Sequence, residues 1–273
     1  MKWIALLCIF YALSRFCHHQ TAGFAMTKIE HNSFPLEMAA TPLKLEGKFR
    51  YLGRGLQSFS FLSEDGKQVL KIFNNRYQNR LFWLQFCPSL EWVNKKREMA
   101  KYKLERNFKS YQIAFEELKE ETGLLYFHPA PTTHLKQTVT LVDKLGIEHP
   151  LDLDSTAFLV QKKATLFYPY LHSLMEKNGL LEAKEALHAF IAFLKARAEK
   201  GIGDNDALVR TNFGFIEGRP MQIDVGPFYR NSALKETEVR QKELIQSTLN
   251  LKHWLEAHYP PLATYLNELI EAD

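Results

Sequence analysis

Three polar side chains in the second half of the chain are of the types that hold a divalent metal ion and a phosphate chain. Asp206 and Asn212 lie on one short segment, and Asp224 follows in the sequence Ile223-Asp224-Val225-Gly226. An apolar hairpin is predicted between Asn212 and Asp224, because the turn residues Glu217-Gly218-Arg219 separate two short apolar runs. The pattern predicts an acid, an amide and a second acid at the ends of a β-ribbon, which suits nucleotide-dependent phosphoryl transfer.

A glycine turn and a strand lysine in the first half of the chain are of the types that bind phosphate. The turn is Gly53-Arg54-Gly55, followed by Ser58, and the lysine is Lys71 in Val69-Leu70-Lys71. Glycines let backbone N–H groups approach anionic oxygens, and an ammonium on a rigid strand adds a positive charge. An ordinary β-turn and a solvent-facing lysine are the structural alternatives.

These residues must be positioned by a sheet and one long helix in the first half of the chain. Asp65-Gly66 between alternating apolar runs is a strong hairpin signal, and Lys71 falls on the strand that follows it. Helical periodicity then predicts a long helical region, divided at Pro88 and ended at Gly123. The predicted strands are 48–52, 59–62, 68–73, 138–142 and 157–161, the helical region is 81–122, and its buried stripe is Phe108, Tyr111, Phe115 and Leu118.

The second half is predicted to be mostly helical. A buried helix face ends before Gly201, a natural helix stop, and two further helices near the C-terminus are separated by Pro260-Pro261. The predicted buried faces are Leu187, Phe190, Ile191, Leu194 and Ala198 in the first helix, and Leu262, Tyr265, Leu266, Leu269 and Ile270 in the last.

The order of these parts, over residues 46 to 230, resembles the protein-kinase-like superfamily, and most closely its small, divergent bacterial members. The resemblance implies an α+β, two-lobed fold, with an N-terminal antiparallel sheet carrying one long helix and a compact, mostly helical C-terminal lobe. We expect an N-lobe at 46–165 and a C-lobe at 166–273, preceded by a leader at 26–45. The implied activity is a Mg²⁺-dependent transfer of phosphate from ATP to a hydroxyl acceptor.

The resemblance also implies roles for the residues of the first half. Gly53, Gly55 and Ser58 would cover the nucleotide phosphates, with Ser58 standing where many members carry a third glycine. Lys71 would contact the α- and β-phosphates and pair with a helix carboxylate. Glu117 or Glu116 is our choice for that partner, and Glu98, Glu105 and Glu121 are not excluded.

In the second half, Asp206 resembles the catalytic aspartate that takes or orients the acceptor's proton, and Asn212 and Asp224 resemble the Mg²⁺ ligands. Asp206 and Asn212 are one residue further apart than in the family's usual pattern, and Asp204-Asn205 replaces the usual His-Arg. Asp204 could therefore take the place of Asp206. Val225 stands where the family's Asp-Phe-Gly signature has phenylalanine.

Only 47 residues follow Gly226, and no long activation segment is apparent. A compact C-terminal lobe suits a small-molecule, sugar or lipid acceptor, or an unusual protein target. The alternative is a catalytically inactive pseudokinase, or an exported scaffold, that acts through protein–protein interaction. The expected partners are nucleotide and an unknown hydroxyl-bearing acceptor or protein partner.

Composition excludes several other classes of function. The net charge is +4 and no dense basic run appears, so nucleic-acid binding has no support. The three cysteines have no metal-ligand spacing, and a structural disulfide is not expected. Aromatic residues in 81–86 and 91–93 are expected to cover a core, with a docking surface as the alternative.

The N-terminal segment, residues 1–25, has the pattern of a secretory signal or an anchor. Lys2 precedes an apolar run from Trp3 to Leu13, and Gly23-Phe24-Ala25 supplies a small-residue pattern for cleavage. The run is short for a membrane-spanning helix. Export or membrane anchoring through residues 1–25 is expected, with membrane contact only through this segment if it is not cleaved; if Met26 is the true start, the protein is cytoplasmic.

Overall fold

The computed structural model describes residues 2–29, 43–226 and 228–272. The chain divides into two compact units. Unit 1 comprises Met1–Leu104 and Leu125–Lys163, and unit 2 comprises Glu105–Leu124 and Ala164–Asp273. The division at residues 163 and 164 lies beside the lobe boundary expected from the sequence, and residues 105–124 fall in unit 2.

Unit 1 is built on a seven-stranded mixed sheet with the order β4-β7-β3-β2-β1-β5-β6. Antiparallel pairing joins β1 to β2, β2 to β3, β3 to β7 and β5 to β6, whereas β1 and β5 are parallel. The positive φ of Gly66 forms the tight turn between β2 and β3. The strands are β1 (Lys48–Arg54), β2 (Ser58–Ser63), β3 (Gln68–Phe73), β4 (Leu124–His128), β5 (Thr138–Val142), β6 (Glu148–Asp152) and β7 (Phe158–Lys162).

Three helices accompany this sheet: α1 (Lys2–Gln20), α2 (Arg76–Leu84) and α3 (Glu91–Glu117), of which α3 continues into unit 2. Pro88 lies between α2 and α3, as predicted from the sequence. Within the described parts of the chain, no helix has both the length and the apolarity that a membrane crossing requires.

The segment that follows α1 belongs to the core of unit 1. Phe24 is 5% exposed, and its ring contacts Phe59, Phe61 and His149 edge-on. Ile29 is fully buried in the same cluster. The residues of the predicted cleavage pattern therefore include a core aromatic. Most of the predicted leader, residues 30–42, lies outside the described residues.

Unit 2 is mostly helical and contains two small sheets, with the orders β11-β10-β8 and β12-β9. Its core joins the buried faces of α4, α5, α7 and α8, and the predicted face from Leu187 to Ala198 is buried. The elements are β8 (Thr165–Leu166), α4 (Phe167–Glu176), α5 (Leu180–Glu199), β9 (Ile202–Asp204), α6 (Val209–Asn212), β10 (Phe213–Ile216), β11 (Arg219–Gln222), β12 (Phe228–Arg230), α7 (Thr237–His258) and α8 (Pro260–Glu271).

The predicted α+β class is confirmed, with a sheet and a long helix followed by a mostly helical second unit. Two details differ from the sequence prediction. The parallel pairing of β1 with β5 makes the sheet mixed rather than antiparallel, because the hairpin β5–β6 is added beside β1. The aromatic side chains Phe82, Trp83 and Trp92 are exposed and do not cover a core.

Candidate functional site

The turn after α5 delivers the first candidate residue, Asp204. Gly201, with a positive φ of 73°, ends the helix, and its N–H donates to the Ala198 carbonyl at 2.7 Å. The short strand β9 then runs to Asp204 and pairs with β12. A Cβ at Gly203 would collide with the Tyr229 ring, so a larger residue beside Asp204 would displace that ring.

The Asp204 carboxylate is buried and receives several hydrogen-bond donors. The Asp206 N–H donates to Oδ1 at 2.8 Å, and the Gln222 side-chain amide donates to Oδ2 at 2.5 Å. The guanidinium of Arg197, itself 3% exposed, lies 3.5 Å from Oδ2 and donates to the Gln222 amide oxygen at 2.5 Å. Asp204 is thus the centre of a buried polar network at the start of the segment that carries Asp206.

Burial raises the pKa of the Asp204 carboxyl above its ordinary value, and the nearby Asp224 carboxylate acts in the same direction. The Arg197 guanidinium and the hydrogen bonds from Asp206 and Gln222 oppose this rise. The shift indicates that Asp204 and Asp224 lie close enough to interact electrostatically.

Asp206, in contrast, presents its side chain to solvent. Its backbone is fixed by the N–H donated to Asp204 and by its carbonyl, which accepts from the Leu208 N–H at 2.8 Å and the Asn212 side-chain amide at 2.7 Å. An exposed carboxylate on a fixed backbone is suited to accept a proton from a bound molecule.

Asn212 and Asp224 are brought together by the hairpin of β10 and β11. The Asn212 carbonyl accepts from the N–H groups of Ile223 at 2.7 Å and Asp224 at 3.4 Å. The Asn212 side-chain nitrogen donates to the Asp206 carbonyl, which fixes the orientation of the amide group. The Asn212 Oδ1 accepts from the Thr211 hydroxyl at 2.9 Å. The structure therefore places Asp206, Asn212 and Asp224 on one hydrogen-bonded framework within unit 2.

The loop that carries Asp224 is also attached to helix α3. The Asp224 Oδ1 accepts from the Gly226 N–H at 3.0 Å, and the side chain is exposed. The hydroxyl of Ser110, which is fully buried, donates to the Val225 carbonyl and accepts from the Phe228 N–H at 2.8 Å. A single serine thus holds both sides of the loop.

Glu117, the predicted partner of Lys71, is engaged within unit 2. Both of its carboxylate oxygens accept from the Arg230 guanidinium, and its backbone carbonyl accepts from Lys200. This bidentate pair is partly exposed. The structure therefore gives the Glu117 carboxylate an arginine partner that the sequence analysis did not anticipate.

The phosphate-binding candidates of unit 1 lie on three adjacent strands. The Gly55 N–H donates to the Ser58 carbonyl at 2.9 Å, which closes a tight turn between β1 and β2, and a Cβ at Gly53 would meet no atom within 4 Å. Lys71 is half-buried on β3, opposite Ser60 on β2 and Leu159 on β7. The glycine turn and the strand lysine are present as the sequence predicts.

The segment after α1 contacts the glycine turn. The Arg54 guanidinium donates to the Ala22 carbonyl at 2.8 Å and lies 3.3 Å from the His18 ring. The other side of the turn is held by Asn74, whose N–H and side-chain amide donate to Gln57 and Leu56. Arg54 therefore ties the turn to the N-terminal segment.

Sequence reasoning missed the two residues that support Asp204. Arg197 lies on the buried face of α5 beside Leu194 and Ala198, and Gln222 lies at the end of β11. A charged residue inside an apolar helical stripe is a usable signal, because it requires a buried partner. Among the described residues, no group of three or more His, Cys, Asp or Glu side chains is arranged to hold a metal ion.

The described residues form a mixed α+β fold in two compact units. No protein-family description and no curated protein matches the sequence. Two solved structures of WbdD, one described as a bifunctional kinase-methyltransferase, are 15% and 14% identical, with TM-scores of 0.35 and 0.37, and the match covers 79% and 80% of this chain and 42% and 43% of WbdD.

Rv3197 from Mycobacterium tuberculosis, solved in complex with erythromycin, is 15% identical, with a TM-score of 0.34 and coverage of 80% of this chain and 53% of Rv3197. This chain therefore spans about half the length of the solved chains that it matches. Similarity at this level carries no conclusion about activity.

Proposed function

We propose that the protein is an ATP-dependent phosphotransferase that uses Mg²⁺ and transfers a phosphoryl group to a hydroxyl acceptor. The observation that carries the proposal is the hydrogen-bonded framework of Asp206, Asn212 and Asp224 in unit 2. It joins an exposed carboxylate to an oriented amide and a second exposed carboxylate. Positioned polar groups of this kind are what phosphoryl transfer requires from a protein.

The oxygen atoms available on this framework fit Mg²⁺. This ion is usually held by one or two carboxylates together with phosphates and water, rather than by a complete protein cage. Asn212 Oδ1 and Asp224 would supply two oxygen ligands, and the nucleotide phosphates would supply others. Bound Mg²⁺ neutralises negative charge on the phosphates. Gly53, Gly55, Ser58 and Lys71 of unit 1 stay the residues that the sequence predicts to bind phosphate.

In the transfer step, Asp206 is assigned the role of general base, which accepts the acceptor's proton. The acceptor oxygen forms a bond to the γ-phosphorus of ATP, the bond from that phosphorus to the bridging oxygen breaks, and ADP leaves with the electron pair. The acceptor's proton passes to the Asp206 carboxylate. Asp204 is assigned a positioning role instead, because its buried carboxylate is occupied by Asp206, Gln222 and Arg197.

Thermal unfolding with ATP and Mg²⁺ tests the nucleotide site. A ligand that binds only the native protein at about 100 times its Kd stabilises it by about 2.7 kcal/mol, so the wild type is expected to unfold several degrees higher. Asp224→Ala should remove the Mg²⁺-dependent part of that shift, whereas Asp206→Asn should retain it. No shift in the wild type, or an unchanged shift in Asp224→Ala, would contradict the proposal.

A catalytically inactive pseudokinase is the second candidate, and the altered sequence around Asp206 favours it. Asp204-Asn205 replaces the usual His-Arg, and Asp206 and Asn212 are one residue further apart than in the family's usual pattern. Measurement of ADP release, with water as the acceptor, separates the candidates. The enzyme releases ADP at a rate that Asp206→Asn reduces, whereas the pseudokinase shows the Mg²⁺-ATP thermal shift without ADP release.

A further inference from the structure

A turn joins helix α2 to the first part of α3, and we call this segment, residues 76–104, the basic-aromatic hairpin. Its turn is held by Arg97, whose guanidinium donates to the carbonyls of Leu84 at 2.7 Å and Cys87 at 2.9 Å and to the Asn94 side chain at 2.7 Å. Arginine thus satisfies carbonyls that the end of α2 leaves open. The hairpin is an ordered element with a fixed turn.

The tip of this hairpin exposes large aromatic side chains. Trp83 is 69% exposed and Phe86 is 68% exposed, and the Phe82 ring contacts both neighbours edge-on, at centroid distances of 5.6 Å and 5.4 Å. Trp92 and Leu90 are also exposed. Of residues 76–104, only Tyr77, Val93 and Ala100 are buried. Clustered exposed rings of this size mark an interaction surface in soluble proteins.

The same hairpin is strongly basic. It contains seven Lys and Arg residues and two Glu residues, a net charge of +5, whereas the whole chain has a net charge of +4. Basic and aromatic groups are interleaved: the Lys96 ammonium lies 4.7 Å from the centre of the Trp92 ring, and the exposed Lys95 pairs with Glu91 at 2.7 Å. The partner of this surface is therefore expected to be negatively charged.

We propose that the basic-aromatic hairpin docks on the surface of an anionic phospholipid bilayer. Tryptophan and phenylalanine rings favour the boundary between headgroups and acyl chains, and neighbouring lysines extend their ammonium groups to the lipid phosphates. Each basic residue close to an anionic leaflet contributes to binding. The combination of exposed rings with a net charge of +5 fits this surface on both counts.

Helix α1 supports the same assignment. It exposes Trp3, Phe10 and Phe16, each more than half accessible to solvent. The segment that follows α1 is joined to the start of the hairpin, because Asn75 donates to the backbone carbonyls of Thr27 and Lys28, both at 2.8 Å. Helix α1 and the basic-aromatic hairpin, which both expose apolar side chains, are thus joined to unit 1 at neighbouring points.

Flotation of the full chain with vesicles, without nucleotide, tests this proposal independently of phosphoryl transfer. Vesicles of phosphatidylcholine mixed in equal parts with phosphatidylglycerol are expected to bind the wild type, and pure phosphatidylcholine vesicles much less. Lys95→Gln with Lys96→Gln should weaken binding to the mixed vesicles about 20-fold, and Trp83→Ala with Phe86→Ala at least about tenfold. Brominated lipids should quench tryptophan fluorescence in the wild type.

Matched substitutions on unit 2 serve as controls. Lys177→Gln with Lys242→Gln removes two exposed charges, and Leu181→Ala with Ile245→Ala removes two exposed apolar side chains. Both variants should bind the vesicles as the wild type does. Circular dichroism verifies that the hairpin variants remain folded, which is expected because the replaced side chains are exposed.

Three results would overturn the assignment. The first is equal binding to both kinds of vesicle, and the second is full binding by the folded hairpin variants, which would identify another surface such as α1. The third is a concentration-dependent oligomer, formed without lipid and dissociated by the aromatic substitutions, which would identify a second copy of the chain as the partner.

Discussion

Replacement of Phe24 by alanine is expected to lower the free energy of unfolding by about 3 kcal/mol. Phe24 is 5% exposed and contacts two phenylalanine rings and His149. Truncation of a buried phenylalanine to alanine costs about 3 to 5 kcal/mol, and we take the lower value because Phe24 keeps slight exposure. A loss of about 3 kcal/mol corresponds to a fall of about 6 to 12 °C in Tm for a protein of this size.

Denaturant unfolding followed by circular dichroism provides the assay. Phe16→Ala is the matched control, since Phe16 is 61% exposed and its loss should change stability by no more than about 0.5 kcal/mol. A chain that starts at Met26 lacks Phe24 and should be destabilised at least as much as Phe24→Ala. Equal stability of this shortened chain and the full chain would refute the reasoning, and would fit a segment that cleavage removes.

Three further predictions concern the polar groups. Asp206→Asn should lower the rate of ADP release by about 10²-fold to 10⁴-fold, with the free energy of unfolding unchanged within about 0.5 kcal/mol. Asp204→Ala should lower the free energy of unfolding by about 2 kcal/mol or more, because Asp206, Gln222 and Arg197 lose a shared acceptor. Burial lowers the pKa of His128 from 6.5 to about 4. The unfolded chain therefore binds a proton at a higher pH than the folded chain, and the free energy of unfolding should fall by about 2 kcal/mol as the pH drops from about 6.5 to about 4.

The outcomes that contradict these predictions are specific. A stable Asp204→Ala variant without activity would assign the proton to Asp204. His128→Phe keeps the ring contacts with Tyr126 and Phe158 and removes a buried ring nitrogen that has no hydrogen-bond partner. This variant should flatten the pH dependence of the free energy of unfolding below about pH 6.5. An unchanged slope in that variant would mean that another group titrates.

Local sequence signals accounted for the parts of the fold that depend on neighbouring residues. Asp65-Gly66 and Glu217-Gly218 predicted hairpins that are present, with positive φ at Gly66, Glu217 and Gly218. The second hairpin also placed Asp224 beside Asn212, because its two strands return the chain to its starting point. This part of the site follows from spacing alone.

Interactions between distant residues were not predictable in the same way. Arg230 is 113 residues from Glu117, and the choice among five carboxylates rested on sequence position alone. The exposure of Trp83 and Trp92 was also not predictable, because helical periodicity identifies an apolar face without showing what covers it. The role of Arg197 was not predictable either, because its partners Asp204 and Gln222 lie at the ends of strands β9 and β11.

The double hydrogen bond of Ser110 makes the Asp224 loop depend on the register of helix α3. One hydroxyl serves the Val225 carbonyl and the Phe228 N–H together, and neither bond survives if the helix slides by even a fraction of its pitch of about 5.4 Å. Loss of both bonds would leave two backbone groups without their protein partner. The two bonds that hold the Asp224 loop are therefore expected to form and break together.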